Sequence, residues 1–204
     1  MRHFLFAAAA LAAFATPAVA ETIAITGGRV VVGDGTAPID GGTVIIRDGN
    51  VIAAGASVAV PADARRIDAK GKWVTPGVFA GFTRLGLSEV DAVKGTNDKS
   101  GGKSGFSAAI DVAPAIDPFR SPFAVNRAAG VTRAVVAPEA AESIFAGQGA
   151  IADLGTDSNP VTKARAFQFA EFGEDGSALS GGSRAGTHLH FRAMLREAQD
   201  YAAG

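Results

Sequence analysis

Apolar and polar positions along the chain change rhythm twice. From Thr22 to Thr75 short apolar stretches alternate with turn chemistry at Gly27-Gly28, Gly33-Asp34-Gly35, Gly41-Gly42, Asp48-Gly49-Asn50 and Lys70-Gly71. That rhythm predicts strands joined by tight turns. Thr43–Arg47 and Val51–Ala54 flank Asp48-Gly49-Asn50, whose glycine and asparagine tolerate the positive φ angles a hairpin needs, so a hairpin is expected there. Farther along, the pattern predicts a helix around Ser121 to Ala129, a strand from Val131 to Ala137 and a strand around Gly149 to Leu154. A last helix is expected from Phe191 to Ala198. Ser183-Arg184, after Gly181-Gly182, stands where a serine oxygen can cap a helix start.

The first 20 residues follow a different logic. Met1-Arg2-His3 precedes an apolar run from Phe4 to Phe14, and Ala18-Val19-Ala20 supplies the small residues of a cleavage site before Glu21. This is the pattern of a secretory signal peptide, and the run is shorter than the roughly 20 apolar residues needed to cross a bilayer. A periplasmic or secreted protein is expected, with no membrane attachment after cleavage between Ala20 and Glu21.

Composition narrows the chemistry. With no cysteine, the chain forms neither a disulfide nor a thiolate metal site. Its 19 lysines and arginines against 20 aspartates and glutamates leave no basic excess for a phosphate backbone, so nucleic acid is not an expected partner. Gly102-Lys103-Ser104 ends like a phosphate-binding loop, but the position requiring the first glycine is Asn97 and no apolar strand precedes it. A surface loop is the expected form. Glu89, Asp91, Asp153, Asp157, Glu171, Glu174 and Asp175 are scattered without an identifiable base or nucleophile partner, so solvated roles are expected.

The run Ile67-Asp68-Ala69-Lys70-Gly71-Lys72-Trp73-Val74-Thr75-Pro76-Gly77-Val78-Phe79 resembles the entry into the metal-dependent barrel of the amidohydrolase superfamily. Ile25 to Thr36 is similar to that superfamily's opening strands, and Asp48-Gly49-Asn50-Val51-Ile52 falls between them in the right order. The secreted, imidazolonepropionase-like members are the most similar, partly through Asn126-Arg127-Ala128-Ala129-Gly130-Val131-Thr132-Arg133. The resemblance implies an α/β protein: a signal peptide over 1–20, a β-sandwich-type module over 21–75, and over 76–204 the first part of a TIM-like (β/α) barrel. That barrel is incomplete, since 129 residues follow Thr75 and a full one takes about 250. A chain truncated relative to the family is therefore expected, with relatives whose coding sequence continues beyond Gly204.

In that superfamily the first barrel strand carries an aspartate and then His-x-His, which bind a divalent metal, usually zinc. The matching positions here are Ala80, Phe82 and Arg84. A phenyl ring has no lone pair to donate, and a permanently cationic guanidinium repels a metal ion. After signal cleavage the only histidines are His188 and His190. Two apart on a helix, they point about 200° apart and do not chelate one ion; on an extended segment they would share a face. The expectation is a degenerate metal motif, no cofactor in this chain and no catalytic residue. The protein is read as a periplasmic amidohydrolase-like hydrolase of non-peptide C–N bonds by lineage, itself inactive. The alternative is a non-catalytic binding or partner subunit of an intact amidohydrolase paralogue, or a homo-oligomer. Arg84 would then form a structural ion pair or hold an anionic ligand by a charge-assisted hydrogen bond.

Overall fold

The computed structural model describes residues 21–204, so the expected leader and its cleavage at Ala20 lie outside the described residues. The chain divides after Pro76 into two compact units.

The first unit is built on β1 (Thr22–Val30), β2 (Ile39–Arg47), β3 (Asn50–Gly55), β4 (Arg65–Asp68) and β5 (Trp73–Val74). β1, β2 and β3 run antiparallel to their neighbours, whereas β4 and β5 both return parallel to β1 on its other edge. The described strands of this unit therefore make one mixed sheet, not the two facing layers of the sandwich-type expectation: the returning strands extend the sheet's edge instead of covering its face. β1 bends at Gly27-Gly28, where its register with β2 shifts. A Cβ on Gly28 would lie 2.7 Å from Val74 Cγ2, so only glycine lets β5 come this close.

The hairpin between β2 and β3 forms where the sequence places it, with one change. Asp48 (φ 48°) and Gly49 (φ 75°) take the left-handed positions of a two-residue turn. Asn50 instead opens β3 and donates its side-chain amide to the Asp48 carbonyl, at 3.0 Å. Replacing Gly49 by valine is expected to cost about 1–2 kcal/mol in urea unfolding, because a β-branched residue resists this region. Gly49→Asn should be nearly neutral. Equal costs for the two would contradict the turn.

The second unit, Gly77–Gly204, carries β6 (Val78–Thr83), α1 (Ser121–Ala128), β7 (Val131–Val136), β8 (Phe145–Asp153), β9 (Val161–Ala170), α2 (Glu174–Ala178) and α3 (Arg184–Ala203). Its sheet runs β6-β7-β8-β9. β6 and β7 are parallel, and α1 lies on the crossover between them, so this part is α/β as expected. Leu85, Leu87, Val112, Ile116, Phe123, Ala134, Val136, Ala150, Ala152 and Leu154 form the core between the sheet and the crossover. Beyond β7 the barrel expectation fails to describe the strands: β8 and β9 are antiparallel to their predecessors. The connections over 137–144 and 154–160 are shorter than the dozen or so residues a parallel crossover needs, so the chain can only turn back.

The sheet is strongly curved. Three strand spacings of about 4.8 Å would hold residues of β6 and β9 some 14 Å apart in a flat sheet, yet the rings of Phe82 and Phe169 lie 5.5 Å apart. Both rings therefore sit on its concave side. Among the described residues, no helix is long and apolar enough to cross a membrane.

Candidate functional site

Because β6 and β7 are parallel, their C-terminal ends meet on one side of the sheet, the position where α/β sheets present ligand-binding side chains. Ala137 N donates to the Thr83 carbonyl at 2.9 Å, which carries the pairing one residue past the end of β7. The chain then leaves β6 at Arg84 and does not reach α1 until Ser121. Loops this long inside a compact unit are commonly functional. This one is anchored at several points. Arg120 donates to the Thr96 carbonyl and pairs with Asp98 at 2.6 Å. Gln148 of β8 bonds the Ile110 carbonyl through its own backbone N–H, at 2.6 Å, and receives Val112 N at 3.2 Å. Glu89 accepts from both the backbone N–H and the hydroxyl of Ser121 and so satisfies the first turn of α1.

A cavity of about 720 Å³ opens at this end, lined among others by Arg84, Ser88, Asp91, Lys99, Asn126 and Glu139. Lys99 Nζ lies 3.1 Å from Glu139 Oε2 and 3.4 Å from Asp91 Oδ1. Glu139 also stands 3.5 Å from Arg84 Nε, and its backbone N–H donates to the Lys99 carbonyl at 2.7 Å. One carboxylate oxygen thus joins two cations, one from the end of β6 and one from the crossover loop. The Lys99 side chain is only 16% exposed. Its ammonium is held above the ordinary lysine range, first by the hydrogen bond to Glu139, with burial opposing. Asp91 is held below the usual carboxylate range, first by Ser88 and next by Lys99. The Ser88 hydroxyl oxygen is closed off from solvent and lies outside hydrogen-bond geometry with Asp91, so the two interact without a formed bond.

A raised lysine pKa has a definite sign in stability. The folded state's extra affinity for the proton stabilises the protein fully below the unfolded lysine value of about 10.4, and this is lost as pH climbs through the raised folded value. The melting-temperature gap between the parent and Lys99→Met should therefore narrow from pH 9 to pH 11.5. A gap that stays constant over that range would show that the ammonium charge is not what Lys99 contributes.

The three metal-motif positions are distributed as follows. Ala80 pairs with Ala134 inside the sheet. Phe82, 59% exposed, packs against Phe169. Arg84 lays its guanidinium over both rings, 5.2 Å and 5.9 Å from their centroids. A ring, a methyl and a cation offer no donor set for a divalent metal, so the residues at these positions do not fit one. His188 and His190 lie on α3, as the helical reading expects. His188 packs against Phe172, and His190 Nδ1 stands 3.5 Å from Ser180 Oγ, so the two imidazoles face different neighbours. Ser183 caps α3 by accepting from Gly186 N at 3.0 Å. Gly102-Lys103-Ser104 lies in irregular chain with Gly102 at φ 56°. Among the described residues, no group of three or more histidines and carboxylates is placed to share a metal ion.

The scattered carboxylates divide. Asp153 pairs with Arg133 at 3.6 Å and Glu171 accepts from Gly173 N, both at the surface. Glu89, Asp91 and Asp175, by contrast, come together around the cavity; Asp91 and Asp175 remain exposed to solvent, as expected, and Glu89 is half-buried. Sequence reasoning did not reach Ser88, Lys99, Asn126 and Glu139. Lys99 and Glu139 are forty residues apart and meet only because the crossover loop folds back beside the end of β7. No local spacing signals that.

No protein-family profile matches the chain, and no curated protein matches it. Solved structures do. An amidohydrolase from Thermotoga maritima MSB8 superposes with a TM-score of 0.74 at 22% identity, over 89% of this chain and 48% of that one. At this identity the likeness is one of fold, and the chain spans about half the length of that structure. A molinate hydrolase matches 33% of this chain and 15% of its own at 40% identity, with a TM-score of 0.30.

Proposed function

We propose that the chain belongs to the amidohydrolase lineage, in its secreted imidazolonepropionase-like branch, and that it is a periplasmic protein that does not itself hydrolyse C–N bonds. The fold likeness and the run Ile67 to Phe79 support the lineage. The inactive reading is carried by one observation: Arg84 stands where the superfamily's motif places an imidazole, within 6 Å of two phenyl-ring centroids and paired with Glu139. Metal-assisted hydrolysis needs lone-pair donors at fixed positions and an open coordination site. A guanidinium here supplies positive charge without accepting a nucleophilic water, and the Arg84–Glu139–Lys99 network occupies the end of the sheet where that chemistry would take place. The protein is then a binding scaffold by descent. Hydrolysis assays on cyclic amides and acyl-dipeptides, with and without added zinc, test this. No turnover is expected, and zinc-stimulated turnover that survives repurification would defeat the reading.

The exposed edge of the second unit favours a further feature of the same reading, a non-catalytic subunit paired with an intact paralogue. Among the described residues, β6 has a single strand neighbour and exposes Val78, Phe79 and Phe82 without a charged residue between Val78 and Thr83. Such an edge invites pairing. Purification from the native host should recover the chain with an amidohydrolase paralogue, and recovery as a lone monomer would remove this role.

A further inference from the structure

Arg84 is unusual in what it does not touch. Its side chain is only 24% exposed, yet among the described residues its five N–H groups form no hydrogen bond; the contact with Glu139 is an ion pair at 3.5 Å. The rings of Phe82 and Phe169 flank the guanidinium at 5.2 Å and 5.9 Å, and Lys99, which shares its Glu139 partner, adds a second partly buried cation. A planar, mostly buried guanidinium with free donors suits a bidentate carboxylate. A bare anion, however, is opposed by the rest of the wall. Two cationic and four anionic side chains line the cavity, and two of the carboxylates stand on the solvent side: Asp91 is 81% exposed and Asp175 lies on the exposed turn of α2. The two cations, 24% and 16% exposed, are the less exposed set, with Glu139 between them and Asp91 and Asp175 toward solvent.

We propose that this cavity receives a small amphoteric molecule, its carboxylate on Arg84 and its cationic nitrogen among Asp91, Glu139 and Asp175. The volume of about 720 Å³ lies within the range of small-molecule sites. Each end of such a ligand answers one half of the lining, while a simple carboxylate or a simple amine answers one half and is repelled by the other. The inference rests on the reading of this cavity as the functional site of a protein whose motif positions hold no metal.

A matched set of probes tests it: 4-aminobutanoate and 6-aminohexanoate against hexanoate and hexylamine, titrated into the full chain at constant ionic strength by calorimetry. Saturable one-to-one binding of at least one amino acid is expected, tighter than hexanoate and hexylamine by about tenfold or more. Arg84→Lys keeps the charge and loses the bidentate edge, and should weaken that binding about tenfold; Asp175→Asn, on an exposed turn, should weaken it less. Hexanoate or hexylamine binding as tightly as the amino acids would overturn the proposal. So would the absence of binding by either amino acid, or binding unchanged in Arg84→Lys with a folded, cooperatively melting variant. Zinc content measured on the same sample separates the two ideas. Stoichiometric zinc would defeat the metal-free reading whatever the titration shows, and failed titration in zinc-free protein would defeat only the ligand class.

Discussion

Phe123→Ala should be among the most damaging single substitutions in the second unit, lowering unfolding free energy by about 3–5 kcal/mol. The Phe123 side chain on α1 is fully buried and is the largest of the fully buried side chains among the described residues. Its ring also packs against the turn that leaves β6: a Cβ on Gly86 would meet Phe123 Cε2 at 2.7 Å. Truncation to alanine therefore opens a cavity between the crossover helix and the sheet, and it loosens the start of the loop that carries Ser88, Asp91 and Lys99. Against a total stability of about 5–15 kcal/mol for a typical domain, the loss is severe. Urea unfolding of the parent and variant measures it. A cost below about 1 kcal/mol would mean that α1 does not pack as described.

Gly147→Ala is the second large effect, expected to cost roughly 2–5 kcal/mol and to release the crossover loop. Gly147 sits in β8 at φ 131°, a region open in practice to glycine alone, and an added Cβ would lie 2.7 Å from the Ile110 carbonyl oxygen. That neighbour is backbone and cannot rotate away. The same carbonyl accepts from Gln148 N, so relieving the clash breaks the bond that ties the loop to β8. Hydrogen exchange should show accelerated amides over residues 107–112 in the variant, with β1 to β5 unchanged. Protection left intact at those amides would contradict the anchoring.

These two residues also show where the sequence was legible. The signals of α1, β7, the β2–β3 hairpin and the Ser183 cap are all local: a helical pattern over Ser121 to Ala129, a β-branched stretch after Gly130, an Asp-Gly turn, a serine three residues before an amide it can accept from. Local chemistry decides such elements, and sequence reading finds them. β9 had no such signal, because Val161–Ala170 mixes basic and aromatic positions and takes its strand form from the register with β8, including a bulge with Arg165 at φ 48°. The reversal of β8 against β7 was hidden for a related reason: the resemblance to a barrel entry implied parallel repeats, and only the short connection at 137–144 decides against them. At the site, Arg84 was legible because a motif pointed to its position. Glu139, which holds it, follows β7 with nothing in its neighbourhood to mark it. Long-range partners of this kind are fixed by topology, which a single sequence does not display.

The central claim is that Arg84 and the residues around it replace a metal centre with a fixed cation. The most direct measurement is the metal content of the purified chain after equilibration with zinc and exhaustive dialysis, read by elemental analysis against protein concentration. The expected result is far less than one zinc per chain, and no recovery of hydrolysis on zinc addition. One tightly held zinc per chain, retained through dialysis, would contradict it.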